Sequence, residues 1–444
     1  MSTHAQRIMM ISTHGYVAAE PELGKPDTGG QVVYVLELSR CLARLGYEVD
    51  ILTRHFEDQP FEEEVDERVR VLRFPCGGSQ FIPKETLCNS IPQWVQRVGK
   101  FIAASPDDYA FINSHYWDAG LAGQALANRF RIPHFHTPHS IGSWKRDNMD
   151  GEPAELEKKY NFRRRIREEK VVYDECDLLI ATTPAQRDIL LSAEGEYNVP
   201  ANKVRVIPPG YDDRRFFPVS RASRKSLKQQ LGLHGRIVLA LGRIAHNKGY
   251  DLLIRSMVEV CERVPNAKLV LAIGSTCATP QEEKMVAGFK RLATELEIAE
   301  HVEFLDYIPD DQLADYYRAA DVFALSSRYE PFGMTAVEAM ACGTPTIVTT
   351  EGGLWEQVIW GREAIFANPF DPAAFGHAMA FVLQYKAIYD RLAKYGCQKA
   401  RADFTWTGIS QQLLNLVDAI PRSGLDHQWS SPLEEEQWAQ TNRG

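Results

Sequence analysis

A loop with two cations follows a strongly apolar segment in the second half of the chain. The segment RIVLAL is typical of a buried strand, and Gly242-Arg243 and Asn247-Lys248-Gly249 come directly after it. An arginine and a lysine on one loop can bind the same diphosphate, the guanidinium through two hydrogen bonds and the ammonium as a point charge. A solvated pair of cations is the alternative, and the position after a strand favours the anion site.

Two glutamates flank a predicted helix start in SSRYEPFGMTAVEAMACGTP. Glu330 precedes the helix and suits sugar hydroxyls, whereas Glu338 falls in its second turn and suits ribose hydroxyls. Backbone amides at the helix N-terminus can bind phosphate oxygens. These amides belong to Phe332, Gly333, Met334 and Thr335. Alternatively, Thr335 and Glu338 form only a capping box, which leaves Glu330 without a role.

A glycine pair lies in the first half of the chain, in the segment DTGGQ. Gly29 and Gly30 precede a strong helical pattern, and a backbone without side chains lets an anionic ligand approach closely. Thr28 and Gln31 could instead form a capping box around a simple turn. The segment alone leaves both interpretations open.

Three histidines crowd the segment PHFHTPHSIG. His134 and His136 share one face of a predicted strand, but they have no nearby carboxylate or cysteine at ligand spacing, so a metal site is not expected. His139 lies beyond the strand end and is better placed to contact a substrate. Farther along, the arginine run 163–167 and Lys84 in FIPKE could hold a phosphorylated acceptor, although the spacing of the run favours a solvated helix face.

These segments require a scaffold of alternating strands and helices. The first half contains the predicted strands RIMMIS, EVDILT, VRVLRF, YAFINSH, PHFHT and LLIAT, and the second contains VRVIPPG, RIVLALGR, AKLVLAIG, VEFLD, VFALSS and PTIVTT. Amphipathic helices between them predict parallel sheets covered on both faces. We expect an α/β protein with two doubly wound Rossmann-like domains facing across a cleft. Their predicted ranges are 1–212 and 213–405, followed by 406–444 as a helix packing back on the first domain and a flexible tail.

The composition excludes several classes of protein. The net charge is −9, which argues against general nucleic-acid binding because phosphate contacts need a basic surface. No apolar run is long enough to span a membrane, and the start of the chain is read as a strand and not as a secretion signal. The 8 cysteines form no CxxC pair, so we expect free thiols in a cytoplasmic protein.

Together these segments resemble retaining nucleotide-sugar glycosyltransferases of the GT-B fold. Within that fold, the chain is similar to the group containing sucrose-phosphate synthase, sucrose synthase and mannosylfructose-phosphate synthase. The resemblance is carried by PDTGGQVVYVLEL, FIPKE, HYWDAG, HTPHSIG, RRIREE, VIPPGYD, GR followed by NKG, and SSRYEPFGMTAVEAMACGTP.

The resemblance implies a role for each candidate residue. On the donor side, Arg243 and Lys248 would neutralise the leaving diphosphate, Glu330 would hold the hexose and Glu338 the ribose, with Gly29 and Gly30 lining the pocket. His139 would contact the donor sugar and the transition state. The acceptor phosphate would be held by Lys84, Arg164 and Arg165.

The implied reaction transfers a hexosyl unit to fructose 6-phosphate with retention of configuration. We expect a sucrose-phosphate synthase activity with UDP-glucose as donor; the alternatives are a mannosylfructose-phosphate synthase with GDP-mannose and a catalytically silent sugar-nucleotide-binding protein. No cofactor is expected to be required, and Mg²⁺ would at most stimulate the reaction, because the cations already supply positive charge. The expected partners are the two substrates and a separate phosphatase acting on the product, with neither nucleic acid nor membrane.

Overall fold

The first sheet is built from the apolar segments of the first half of the chain. The structure is a computed structural model that describes residues 6–21, 25–104, 109–149, 151–273, 279–305 and 308–419. The strands of this sheet are β1 (Arg7–Ile11), β2 (Glu48–His55), β3 (Glu62–Asp66), β4 (Val69–Pro75), β5 (Tyr109–His115), β6 (His134–Thr137), β7 (Leu178–Ala181) and β8 (Val204–Val206). Their order is β3-β4-β2-β1-β5-β6-β7-β8, and only β3 runs antiparallel to its neighbour.

The second sheet has the strand order β11-β10-β9-β12-β13-β14 and is parallel throughout. Its strands are β9 (Arg236–Leu241), β10 (Ala267–Ala272), β11 (Val302–Leu305), β12 (Val322–Leu325), β13 (Thr346–Thr349) and β14 (Ile365–Ala367). All twelve predicted strand segments are strands in the structure. However, VRVIPPG was assigned to the second series, and its strand β8 pairs with β7 in the first sheet.

Helices cover both faces of each sheet. Those of the first lobe are α1 (Gly30–Arg44), α2 (Lys84–Leu87), α3 (Ile91–Ala104), α4 (Trp117–Phe130), α5 (Gly142–Asp147), α6 (Pro153–Tyr160), α7 (Phe162–Glu175) and α8 (Pro184–Leu191). Those of the second lobe are α9 (Arg221–Gln230), α10 (Tyr250–Arg263), α11 (Pro280–Glu295), α12 (Asp310–Ala319), α13 (Met334–Ala341), α14 (Pro372–Gln384) and α15 (Lys386–Asp403). The predicted doubly wound architecture with two Rossmann-like sheets is therefore confirmed.

The last described helix, α16 (Trp406–Asp418), returns to the first lobe. Trp406, Ile409 and Leu413 are buried in the same apolar cluster as residues of α1 and β1. Gly210 lies against Trp406, since an added Cβ would come within 2.5 Å of the indole. The predicted tail beyond this helix lies outside the described residues, as does Cys277. No helix in the described ranges is both long and apolar enough to cross a bilayer.

The strand order determines where a ligand can enter each sheet. In the first sheet β1 pairs with both β2 and β5, and in the second β9 pairs with both β10 and β12. The loops that leave such a pair of central strands diverge to opposite faces and open a crevice at the carboxyl edge of the sheet. The loop after β1 contains Gly29, and the loops after β9 and β12 contain Arg243, Lys248 and Glu330.

Candidate active site

The loops after β9 and β12 bring Lys248 and Glu330 together. The Lys248 Nζ donates a hydrogen bond to Glu330 Oε2 at 2.7 Å, and the Ser327 hydroxyl donates to the same oxygen at 3.0 Å. The two charged side chains are 22% and 12% exposed. Gly249, which follows Lys248, has a φ of 65°, and an added Cβ would lie 2.1 Å from the Ser326 carbonyl oxygen. Glycine is therefore needed for the close packing of the two loops.

Arg328 binds the same two loops to each other. Its guanidinium makes two hydrogen bonds of 2.7 Å to the Asp251 carboxylate, and its backbone amide donates to the Asn247 carbonyl oxygen at 2.8 Å. Arg243, in contrast, is exposed and has no hydrogen bond or ion pair to any residue in the described ranges. Among the described residues of this loop, Arg243 is therefore an unpaired cation, whereas Lys248 is paired with Glu330.

Helix α13 begins beside this pair. Gly333 precedes it with a φ of 108°, and an added Cβ would lie 2.8 Å from a Leu325 methyl group. The Phe332 side chain is buried against Phe404 with ring centroids 5.6 Å apart, so only its backbone can face a ligand. Met334 and Thr335 form the first turn and are half-buried.

Glu338 lies one turn into α13 and accepts a hydrogen bond from the Tyr317 hydroxyl at 2.7 Å. Burial raises the pKa of the Glu338 carboxyl to about 7, even though the bond from Tyr317 acts in the opposite direction. No side chain caps the N-terminus of α13, so the capping-box alternative for Thr335 and Glu338 is wrong. The carboxyl of Glu338 is left to contact a ligand on its other side.

The glycine pair of the first lobe borders open space. A Cβ added to Gly29 or Gly30 would meet no atom within 4 Å, and helix α1 starts there without a side-chain cap. The capping-box alternative is therefore wrong here too: Gln31 Nε2 donates instead to the Ser12 hydroxyl and the His115 carbonyl oxygen, both at 3.2 Å. The two glycines can accommodate a ligand without clashing.

Lys84 is held beside that loop by Asp27. Its ammonium is ion-paired with the Asp27 carboxylate, and its backbone amide donates to the same carboxylate at 3.1 Å. Burial would raise the pKa of Asp27, but the hydrogen bond and charge of Lys84 outweigh it and lower the pKa. The charge of Lys84 is thus balanced by a carboxylate of the protein itself.

His139 follows β6 in an unusual backbone conformation, with a φ of 57°. Its Nε2 lies 2.9 Å from His115 Nδ1, and its ring packs edge-on against Tyr34 at 4.8 Å between centroids. Burial, and then the charge of nearby His14, lowers the pKa of His139 to about 3. The imidazole is therefore neutral at physiological pH, with Nδ1 left for a ligand.

The other two histidines of the segment belong to the core. His134 Nε2 and His136 Nδ1 both contact the Ser114 hydroxyl, at 2.6 and 2.8 Å. Burial lowers the pKa of both imidazoles, that of His134 to about 3. Over the part of the chain that the structure describes, no group of three or more His, Cys, Asp or Glu side chains is arranged to hold a metal ion.

The arginine run separates into two environments. Arg164 points outward, donates to Asn89 Oδ1 at 2.5 Å and lines a cavity of about 210 Å³. Arg165 points inward with 3% of its side chain exposed, and it is paired with Glu169 at 2.7 Å. The two arginines that we expected to hold one phosphate therefore lie in different environments, and each has an acidic partner, Glu168 for Arg164 at 3.9 Å and Glu169 for Arg165.

A cation that the sequence analysis did not single out, Lys145, lies near Arg165 and Lys84. Lys145 on α5 packs over the Tyr160 ring, with Nζ 4.3 Å from the centroid, and has no ion pair within the described ranges. Burial, followed by the charges of Arg165 and Lys84, lowers the pKa of its ammonium to about 8. A desolvated cation that feels two further cations is a strong attractor for an anion.

The two lobes face each other across these residues. Trp144, next to Lys145, packs edge-on against Tyr329, next to Glu330, with centroids 5.2 Å apart. A second contact between the lobes is a hydrogen bond of 3.1 Å, which the Ala185 amide donates to Glu356 Oε2. Lys145, with Arg165 and Lys84 near it, forms a cation cluster of the first lobe. This cluster and the Lys248–Glu330 pair of the second lobe therefore line one cleft.

Comparisons with known proteins cover most of the chain. Residues 28–215 match the model described as Glycosyltransferase Family 4, and residues 223–399 match Glycosyl transferases group 1. Mannosylfructose-phosphate synthase of Agrobacterium fabrum is 51% identical over 438 residues, 98% of this chain and 94% of that protein.

A more distant relative and a solved structure agree with this. D-inositol 3-phosphate glycosyltransferase of Corynebacterium jeikeium is 32% identical over 94% of this chain and 98% of its own length. The structure of sucrose-phosphate synthase from Thermosynechococcus elongatus superimposes with a TM-score of 0.78 at 31% identity, covering 93% of this chain and 98% of that one.

Proposed function

Because the chain belongs to the group 1 glycosyltransferases of the GT-B fold, and is thus a hexosyltransferase, we propose that it transfers mannose from GDP-mannose to fructose 6-phosphate. The observation that supports a phosphorylated acceptor is the cation cluster around Lys145, which faces the Lys248–Glu330 pair across the cleft. A neutral sugar would leave that desolvated charge unbalanced, whereas a phosphate dianion would pair with it.

The choice of donor rests on the relatives. The relative at 51% identity is named mannosylfructose-phosphate synthase, which was the alternative in the sequence analysis, whereas sucrose-phosphate synthase is the 31% structural neighbour. We therefore favour GDP-mannose over UDP-glucose. In this proposal the product still carries its phosphate, and a separate phosphatase would remove it.

The proposed chemistry follows from the charges in the cleft. Departure of the nucleoside diphosphate leaves negative charge on its oxygens, and Arg243, Lys248 and the amides of α13 would stabilise it without reorganisation. Donor phosphate would replace Glu330 as a partner of Lys248, and the freed Glu330 carboxylate would accept hydrogen bonds from the hexose hydroxyls. Glu338 would bind the ribose, and His139 the donor sugar. Since the protein supplies this positive charge, we propose that no metal is required.

Acceptor and donor can be tested with the purified protein. Fructose 6-phosphate, fructose and glucose 6-phosphate are each incubated with GDP-mannose and with UDP-glucose, in EDTA and in Mg²⁺, while nucleoside diphosphate release is followed and products are identified by NMR. We expect turnover with GDP-mannose and fructose 6-phosphate, with the anomeric configuration retained. If UDP-glucose is the only donor that supports turnover with fructose 6-phosphate, the protein is a sucrose-phosphate synthase. Nucleotide binding without product in any combination would establish the silent binding protein.

A further inference from the structure

A buried ion pair lies directly behind the loop that carries His139. Arg165 Nε donates to Glu169 Oε1 at 2.7 Å, and the two side chains are 3% and 0% exposed. The Tyr197 hydroxyl donates to the other oxygen, Glu169 Oε2. Buried ion pairs contribute little net stability because desolvation opposes the attraction of the charges, so their retention calls for another explanation.

Each member of this network also bonds the backbone of the segment 140–143. Arg165 Nη2 donates to the Ser140 carbonyl oxygen at 2.6 Å and approaches its hydroxyl at 3.3 Å. The Gly142 amide donates to Glu169 Oε2 at 2.9 Å. The next amide, that of Ser143, donates to the Tyr197 hydroxyl at 3.2 Å.

This segment joins the two residues that we assign to the substrates. His139 immediately precedes it, with a φ of 57° that a residue carrying a Cβ adopts only when its surroundings impose it. Lys145 follows it on α5, whose first residues, Gly142 and Ser143, are bonded to the network. Displacement of the segment would therefore move both side chains.

We propose that Arg165, Glu169 and Tyr197 are positioning residues that hold His139 and Lys145 in the geometry that sugar transfer requires. The family resemblance implied phosphate binding for Arg165, and in this proposal its side chain also belongs to the network. Its Nη1 donates to the Tyr116 hydroxyl at 3.0 Å, so three of its nitrogens are already bonded within the protein. The functional part of the inference rests on the proposed function, whereas the control of loop geometry does not.

Two neighbouring tyrosines supply a matched comparison. Tyr173 and Tyr197 are both buried with ring centroids 5.0 Å apart, but the Tyr173 hydroxyl has no hydrogen-bond partner among the described residues. Tyr197→Phe removes a hydrogen bond to the Glu169 carboxylate, and Tyr173→Phe removes none. We expect hydrogen–deuterium exchange in residues 138–145 to become about tenfold faster in Tyr197→Phe and to stay unchanged in Tyr173→Phe, because a bond to a charged group is lost only in the first.

Kinetics then separate positioning from binding. Tyr197→Phe should lower kcat about tenfold, since a small misplacement of reacting groups slows transfer, while the Kd for GDP, which binds the other lobe, stays the same. Glu169→Gln, which keeps the shape of the side chain, should lower kcat further and again leave the Kd for GDP unchanged. Arg165→Lys should recover part of the kcat that Arg165→Met loses.

The outcomes distinguish this proposal from the proposed function. If the wild-type protein makes no product from fructose 6-phosphate, the proposed function fails, and the exchange rates in 138–145 still decide whether the network positions the segment. Equal exchange in the two tyrosine variants overturns the positioning role, as does a loss of activity that appears only as a weaker Kd for GDP.

Discussion

Replacing Lys145 by methionine tests the acceptor site most directly. Methionine keeps an apolar stem against Tyr160 and removes the ammonium, which lies 4.3 Å from the ring centroid. A hydrogen bond between charged groups contributes about 1.5–3 kcal/mol. At about 1.4 kcal/mol per factor of ten, the KM for fructose 6-phosphate should rise about 10- to 100-fold, with the Kd for GDP unchanged.

The pH dependence gives the same experiment a second readout. The pKa of the Lys145 ammonium is lowered to about 8 by burial and by nearby cations, so the residue is charged below that pH and neutral above it. Because only the charged form attracts the phosphate, kcat/KM for the acceptor in the wild type should fall as the pH rises through 8. The Lys145→Met profile should lack this decline.

Lys159 provides the control. Its ammonium lies over the same Tyr160 ring, 5.1 Å from the centroid, but the residue is exposed to solvent. Lys159→Met removes one positive charge from the same neighbourhood and should leave the acceptor KM within about twofold, because an exposed charge is screened by water and salt. An equal effect of both substitutions, or a wild-type pH profile in Lys145→Met, would refute the reasoning.

Three further substitutions test the rest of the cleft. Lys248→Ala should lower kcat on the order of 10²–10³-fold in single-turnover assays, since it removes a cation from the leaving diphosphate, and near-normal turnover would contradict that role. The Glu338 pKa is raised from 4.5 to about 7, so its ionisation destabilises the fold as the pH rises through that interval. Glu338→Gln should raise the free energy of unfolding by up to ~3 kcal/mol at pH 8, and with it the melting temperature, but should change neither at pH 4.5. It should also weaken nucleotide binding, and pH-independent melting differences would argue against this reasoning. Gly249→Ala should lower the melting temperature far more than Gly232→Ala does. Both glycines have a positive φ, but only at Gly249 would an added Cβ collide, 2.1 Å from a carbonyl oxygen. Equal losses of stability would assign the effect to φ alone.

The parts of the site that could be predicted from the sequence are those fixed by strand ends. In a parallel sheet every loop after a strand emerges at the same edge, so the apolar segments predict that Arg243, Lys248 and Glu330 lie at one edge of the second sheet. The contact between Lys248 and Glu330, at 2.7 Å, bears out that placement in atomic terms. The edge strand β3 was missed because its sequence, EEEVD, is acidic and pairs on one side only.

The parts that could not be predicted depend on which way a helix faces. Arg164 and Arg165 are adjacent in sequence, yet one lines a surface cavity and the other is buried with Glu169, because consecutive residues on a helix point about 100° apart. The run alone gave no reason to separate them. Lys145 is one lysine in a polar stretch, and only its position beside Tyr160 and near Arg165 reveals a desolvated cation.

Under the proposed function, the distribution of counter-ions would explain how an acidic protein binds two phosphorylated substrates selectively. Lys248 and Lys84 are each paired with a carboxylate of the protein, so a phosphate would have to replace Glu330 or Asp27 and would gain little net charge attraction. Arg243 and Lys145 have no such carboxylate among the described residues, and a phosphate that reaches them neutralises a charge that the protein leaves unbalanced. Affinity should therefore come mainly from Arg243 on the donor side and Lys145 on the acceptor side. In this proposal the paired lysines would, in turn, make the release of a protein carboxylate part of substrate binding, and Glu330 would be freed for the hexose only after the diphosphate has arrived.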